Sequence, residues 1–76
     1  MKRGYFDAMI TFKPFTETRK RTGISTYQLI NKYNISSSTI NRIRNNLPIS
    51  TVTLNDLCRI YKCRVEDIIE YVPDEE

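Results

Sequence analysis

The 76-residue sequence contains no histidine, and it has only two cysteines and two glycines. The lack of histidine makes a zinc site improbable, and no other feature implies a cofactor. Cys58 and Cys63 are too few for a disulfide framework, and we interpret each as a small buried apolar residue. A spacing of five would place them on different faces of one helix, so we do not expect them to pair.

Long apolar runs are also missing, and none approaches the roughly 20 residues that a membrane-spanning helix needs. The first residues, "MKRGYFDAMITF", are basic at the start but contain no continuous apolar stretch, unlike a secretory signal. We therefore expect an intracellular, cytoplasmic protein without a membrane partner. The chain also lacks a glycine-rich phosphate loop and a convincing acidic pair, so an enzyme is the class that we least expect.

The charged residues that are present are distributed unevenly. Residues 1–50 have a net charge of +7, whereas residues 51–76 have a net charge of −4. This division suggests one surface suited to a polyanion such as nucleic acid, and another surface that is not. A solvated basic face is the alternative, because charge excess alone is common on protein surfaces.

A chain of this length makes one domain, and its pattern predicts short helices between two strand-like ends. The alternating segment "MITFK", residues 9–13, predicts a strand, and a helix should run from Pro14 until Gly23 stops it. Ser25 and Gln28 match a capping box at the start of the next helix, which we expect Asn34 to end.

Two more helices are predicted in the C-terminal part. One is capped by Ser50 or Thr51, and its apolar residues Leu54, Leu57, Cys58 and Tyr61 recur at helical spacing. The segment "VEDIIEY" predicts a last short helix that buries three apolar side chains, namely Val65, Ile68 and Ile69.

Three consecutive serines, residues 36–38, begin the third predicted helix, although serine is a mediocre helix former. Ser36 suits the N-cap position. At about 100° per residue, one side of this helix gathers Ile40, Ile43 and Leu47. The opposite, exposed side gathers short polar and basic residues: Ser37, Ser38, Asn41, Arg42 and Asn45. These residue types can hydrogen-bond to base edges, so residues 25–46 predict a DNA-binding helix-turn-helix; a merely solvated polar face is the alternative.

The order of the helices resembles the lambda Cro and phage-repressor type of regulator, the XRE family. The resemblance rests on "STYQLINKYNISSSTINRI", residues 25–43, and "TLNDLCRIYKCRVEDII", residues 53–69. It implies an all-α, compact five-helix lambda-repressor-like domain over residues 14–70. Residues 1–13 would form an extension with a short strand, and residues 71–76 an acidic tail.

The ends resemble those of small bacterial and mobile-element regulators of this type. We therefore expect residues 9–13 and 70–72 to form an antiparallel ribbon, either within one chain or between subunits.

The resemblance also implies roles for individual side chains. The recognition helix, about residues 36–46, would enter the major groove of double-stranded DNA. The side chains placed against base edges would be Ser37, Ser38, Asn41 and Arg42. Those placed against phosphates would be Thr26, Gln28, Arg44, Asn45 and Asn46.

These roles describe a sequence-specific transcriptional regulator that acts as a homodimer. The alternative is a protein-binding adaptor or antitoxin-like module that uses the helix-turn-helix as a scaffold. In that case the acidic end "EDIIEYVPDEE", residues 66–76, would bind a basic protein partner. Steep loss of binding to duplex DNA on adding salt would favour the first hypothesis.

Overall fold

The computed structural model describes residues 9–73, in which four α-helices surround one core and a two-stranded sheet joins the two ends. In chain order the elements are β1 (Met9–Thr11), α1 (Lys13–Thr22), α2 (Thr26–Asn31), α3 (Ser37–Arg44), α4 (Thr51–Tyr61), a 3-10 turn (Val65–Asp67) and β2 (Glu70–Val72). The mostly helical fold is as predicted. The count of five helices is not, because "VEDIIEY" makes a single 3-10 turn.

The helix starts follow local capping chemistry. The predicted capping box is present: the Ser25 hydroxyl accepts from the Gln28 backbone N–H at 3.2 Å, and the Gln28 Oε1 accepts from the Ser25 N–H at 2.9 Å. Ser36 and Ser50 cap α3 and α4 in the same way, each accepting a backbone N–H at 3.1 Å. Because these bonds satisfy N–H groups that the helix itself cannot, they define where each helix begins.

Residues in the left-handed conformation lie at the helix ends or shortly after them. Gly23 closes α1 with a φ of 77°, as predicted. α2 ends at Asn31, earlier than predicted, and Asn34 turns the chain towards α3 with a φ of 65°. Asn46, with a φ of 59°, follows the end of α3. Leu47 therefore lies beyond the helix, and its predicted burial is wrong, since 45% of it is exposed.

The core takes residues from every helix. Phe15 of α1 packs edge-to-face on Tyr61 of α4, with ring centroids 5.4 Å apart. The Tyr61 hydroxyl donates to the Ile24 carbonyl at 2.9 Å, and burial raises the pKa of Tyr61 to about 12. The buried apolar side chains among the described residues are Phe15, Leu29, Ile35, Ile40, Ile43, Leu57, Tyr61 and Ile68.

The 3-10 turn buries less than the predicted helix would. Ile68 is fully buried and Ile69 is half-buried, but Val65, predicted to be buried, is 48% exposed. A single 3-10 turn is too short to form a continuous apolar side, so it cannot place both Val65 and Ile68 against the core. The turn is held to α1 by the buried Thr18, whose hydroxyl donates to the Asp67 carbonyl at 2.6 Å.

The two cysteines lie side by side, which corrects the expectation that they occupy different faces of one helix. α4 ends at Tyr61, and Lys62 takes a left-handed conformation with a φ of 53°. The chain therefore turns back, and the Cys63 N–H donates to the Cys58 carbonyl at 3.0 Å. Both thiols are free and half-buried; burial and the neighbouring Cys58 raise the pKa of Cys63.

The sheet is an antiparallel pair within the chain, with Ile10 opposite Tyr71 and Thr11 opposite Glu70. The antiparallel ribbon predicted for residues 9–13 and 70–72 is therefore present within one chain, over Met9–Thr11 and Glu70–Val72. The predicted N-terminal extension, residues 1–8, and the end of the tail, residues 74–76, lie outside the described residues. Within residues 9–73, no helix is long and apolar enough to cross a bilayer.

Leu57 offers a test of the core, because it has no exposed surface, whereas Val52 on the same helix is 69% exposed. Leu57→Ala should lower the free energy of unfolding by about 2–5 kcal/mol, since it leaves a cavity. Val52→Ala should change it by less than about 0.5 kcal/mol. Denaturant unfolding followed by circular dichroism measures both values; equal losses would contradict the described packing.

Candidate nucleic-acid interface

α2, α3 and the connection between them form the predicted helix-turn-helix. In this connection, the Ile35 N–H donates to the Leu29 carbonyl at 2.9 Å, and the Ile35 side chain is buried. Ile40 and Ile43 cover the inner side of α3. The helix is therefore held by its apolar side, and its opposite side faces solvent.

This outer side carries all four residues that the sequence predicted to contact bases. Ser37, Ser38, Asn41 and Arg42 are all exposed. Around the N-cap, the Ser36 hydroxyl lies 3.2 Å from the Ser38 hydroxyl. Short side chains at the start of α3 leave its N-terminal end slender. A slender helix end can approach the floor of a groove more closely than one that carries long side chains.

Arg42 is exposed but is not extended freely into solvent. Its Nη1 donates to the Pro48 carbonyl at 3.2 Å, in the connection between α3 and α4. A guanidinium has five N–H donors, so most of them remain available for another acceptor. The bond to Pro48 orients the side chain along one edge of the outer side of α3.

Asn41 and Asn45 form a second ordered pair on this side, one turn apart. The Asn45 Nδ2 donates to the Asn41 carbonyl at 2.9 Å and lies 3.3 Å from the Asn41 Oδ1. The pair joins a predicted base-contacting residue to a predicted phosphate-contacting residue. Because both side chains are already restrained, less conformational entropy would be lost when a ligand orders them.

The predicted phosphate-contacting residues differ in how free their side chains are. Arg44 and Asn45 are exposed, and Thr26 is half-buried. Gln28 uses its Oε1 in the capping box, which leaves its amide hydrogens as donors.

Asn46 has a structural role that the sequence did not indicate. Its Oδ1 accepts from the Phe12 N–H at 3.0 Å, and its Nδ2 donates to the Ile10 carbonyl at 3.2 Å. The Phe12 N–H is at the N-cap of α1, where no side chain of α1 itself provides a cap. Asn46 therefore ties the end of α3 to β1 and the start of α1.

The structure also brings basic residues from α1 beside α2 and α3. An open cleft of about 310 Å³ lies where β1, α1, α2 and α3 meet. Lys13 and Arg19, which the sequence did not predict to contact DNA, line this cleft together with Thr26 and Arg44. Their separation of up to 31 positions in the chain explains why no local pattern identified them as a group.

Comparison with known proteins agrees with this geometry. A family model described as the Cro/C1-type helix-turn-helix DNA-binding domain matches residues 16–74. Among solved structures, the chain is similar to the crystal structure of transcriptional regulator VanUg, form II, with a TM-score of 0.79. The two are 20% identical, and the match covers 96% of this chain and 93% of that one, so the likeness is one of fold. Among curated proteins, the chain has no match in sequence.

The role of Asn46 can be tested against Asn34, because both are left-handed asparagines. Glycine relieves the backbone strain equally at the two positions, but only Asn46→Gly also deprives the Phe12 N–H of its acceptor. We expect Asn46→Gly to lower the free energy of unfolding by about 1–3 kcal/mol relative to Asn34→Gly. Denaturant unfolding of both variants measures the difference, and its absence would rule out the bridging role.

Proposed function

The chain belongs to the family of Cro/C1-type helix-turn-helix DNA-binding domains, and we propose that it is a transcriptional regulator that binds double-stranded DNA at specific sequences. The observation that carries the proposal is the division of α3 into two sides. Ile40 and Ile43 hold it in the core, while Ser37, Asn41 and Arg42 are exposed. A helix whose inner side is packed in the core can present polar side chains to DNA with little loss of conformational entropy on binding.

In this proposal α3 lies in the major groove, which is wide enough to admit a helix. Arg42 donates two hydrogen bonds to a guanine, and Asn41 pairs with the edge of an adenine. Ser37 and Ser38 donate to or accept from the bases nearest the N-terminal end of α3. To reach a base, Arg42 exchanges its bond to the Pro48 carbonyl for a bond to the base.

The phosphate contacts hold the protein in register. Thr26, Arg44 and Asn45 supply them directly in this proposal. Gln28 uses the amide hydrogens that its capping bond leaves free. Asn46 has both ends of its amide bonded within the chain, so it acts mainly by positioning the segment that follows α3. Phosphate contacts orient the protein and base contacts provide the specificity.

We further propose that the protein binds DNA as a homodimer in the cytoplasm. α3 has only eight residues and can reach few base pairs. Two copies on half-sites about 34–36 Å apart, one turn of DNA, would double the number of bases contacted. A symmetric dimer would therefore require a palindromic operator.

Selection of bound fragments from random duplex DNA, using the full chain, tests these proposals together. We expect an enriched palindromic site whose affinity falls steeply as salt is added. Enrichment of a site without symmetry would contradict the dimer. A chain that ignores duplex DNA but binds a basic protein through residues 66–76 would instead favour the adaptor or antitoxin-like function.

Arg42→Ala should reduce discrimination at one base position by about 1–3 kcal/mol, because one bidentate contact is lost. Other positions of the selected operator should keep their preferences. Affinities for the operator and its single-base variants, measured by fluorescence anisotropy, check this expectation. An unchanged preference at every position would show that α3 is docked differently from the proposal.

Arg44→Ala should weaken binding to all DNA sequences nearly evenly, since a phosphate contact carries no sequence information. It should also reduce the slope of log K against log salt concentration by about 1. The same anisotropy assay, repeated over a salt series on operator and random duplexes, provides the measurement. A loss confined to one operator position would mean that Arg44 contacts a base.

A further inference from the structure

The cleft beside the helix-turn-helix concentrates positive charge from two helices. Lys13 comes from the start of α1, Arg19 from its second half and Arg44 from the end of α3. None of the described residues that line the cleft is acidic. Within residues 9–73, no ion pair joins any of these three cations to a carboxylate. At the cleft edge, the Thr11 hydroxyl donates to the Glu70 Oε2 at 3.5 Å.

Arg19 is the most constrained of the three cations. Its guanidinium carbon lies 5.6 Å from the centre of the Phe15 ring, which is itself buried in the core. The Arg19 Nε is buried from solvent and has no hydrogen-bond partner among the described residues. The Nε–H of Arg19 has therefore lost hydration that no hydrogen-bond acceptor among the described residues replaces.

The remaining polar groups of the cleft suit an oxyanion. Hydroxyl donors are supplied by Thr16 of α1 and Thr26 of α2. A volume of about 310 Å³ is at the lower end of small-ligand sites, and the cleft is open to solvent. Two of its lining residues, Thr26 and Arg44, are also proposed to contact the DNA backbone.

We propose that this cleft is a binding site for a phosphate group, centred on the positive charges of Lys13, Arg19 and Arg44. A bound phosphate offsets this positive charge, and its oxygen atoms accept hydrogen bonds from the cationic side chains that line the cleft. The expected source is a phosphate of the DNA backbone, and in that respect the proposal rests on the proposed function. Free inorganic phosphate has the same chemistry, and the test separates the two sources.

The matched variants are Arg19→Met and Lys20→Met. Each removes one positive charge from α1 and keeps a long side chain, but Lys20 is exposed and does not line the cleft. At ten times its Kd, inorganic phosphate should raise Tm by roughly 6–11 °C over chloride of equal ionic strength. This excess should persist in Lys20→Met and disappear in Arg19→Met. The comparison cancels the general stabilisation that phosphate salts give any protein.

The second arm measures binding to random-sequence duplex DNA over a salt series. With DNA as the source, Arg19→Met reduces the slope of log K against log salt by about 1 and Lys20→Met does not. An unchanged slope with a lost Tm excess still supports the site, with free phosphate as its ligand. If both variants match the unmodified chain in both arms, the phosphate site is overturned. DNA binding by the unmodified chain would still support the proposed function.

The unmodified chain provides a measurement that does not depend on either variant folding. On titration with inorganic phosphate, the NMR signal of the Arg19 Nε–H should shift and saturate. The signal of Arg21, which is exposed on the same helix and outside the cleft, should not. Equal shifts at both arginines, or none at either, would overturn the site. A saturating shift at Arg19 in a chain that fails to bind DNA would keep the site and reject the proposed function.

Discussion

The position of α3 depends on the burial of Ile40 and Ile43 in a core that this chain is barely long enough to form. A domain of this size covers only about 60% of the surface that its unfolded chain exposes, so each buried side chain matters. Leu29, Leu57 and Ile68 have no exposed surface, and they complete the same core. The outer side of α3 can remain wholly polar because its inner side is secured in this way.

Two asparagines in the left-handed conformation determine how the chain enters and leaves α3, and so how the helix-turn-helix is oriented on the core. Asn34 redirects the chain between α2 and α3, and Asn46 redirects it after α3. Asparagine is suited to both positions because its short polar side chain tolerates the left-handed region. Asn46 does more than turn the chain, since its amide bonds to the backbone of both Ile10 and Phe12. Both ends of α3 are therefore positioned by turns, and one of them is also bonded to β1 and α1.

Features that depend on neighbouring residues were predictable from the sequence. The serine caps, the stop at Gly23 and the apolar spacing of α4 all arise within a few positions, and the structure contains each of them. The family match over residues 16–74 confirms the resemblance to the Cro and phage-repressor type.

The errors occur where a turn interrupts the helical period. A helical pattern of apolar residues can continue in the sequence past a left-handed residue at which the helix has already ended. For this reason Leu47 was expected to be buried, and Cys63 was expected to point away from Cys58. The basic cleft was not predictable for a different reason. Lys13 and Arg44 are brought together only by the packing of α1 against the helix-turn-helix, and a linear pattern contains no such distance.

The distribution of charge around α3 bears on how so small a domain would achieve specificity. The outer side of α3 offers short neutral side chains and one arginine, Arg42, that is already bonded to the Pro48 carbonyl. Each such base contact discriminates by only about 1–3 kcal/mol, and a displaced helix would lose all of them together. The cleft cations Lys13, Arg19 and Arg44 have no ion-pair partner among residues 9–73, and they lie beside this surface rather than on it. Phosphates held there would fix the depth and angle of α3 before any base is contacted, so the few polar side chains of α3 would meet the base edges in one register.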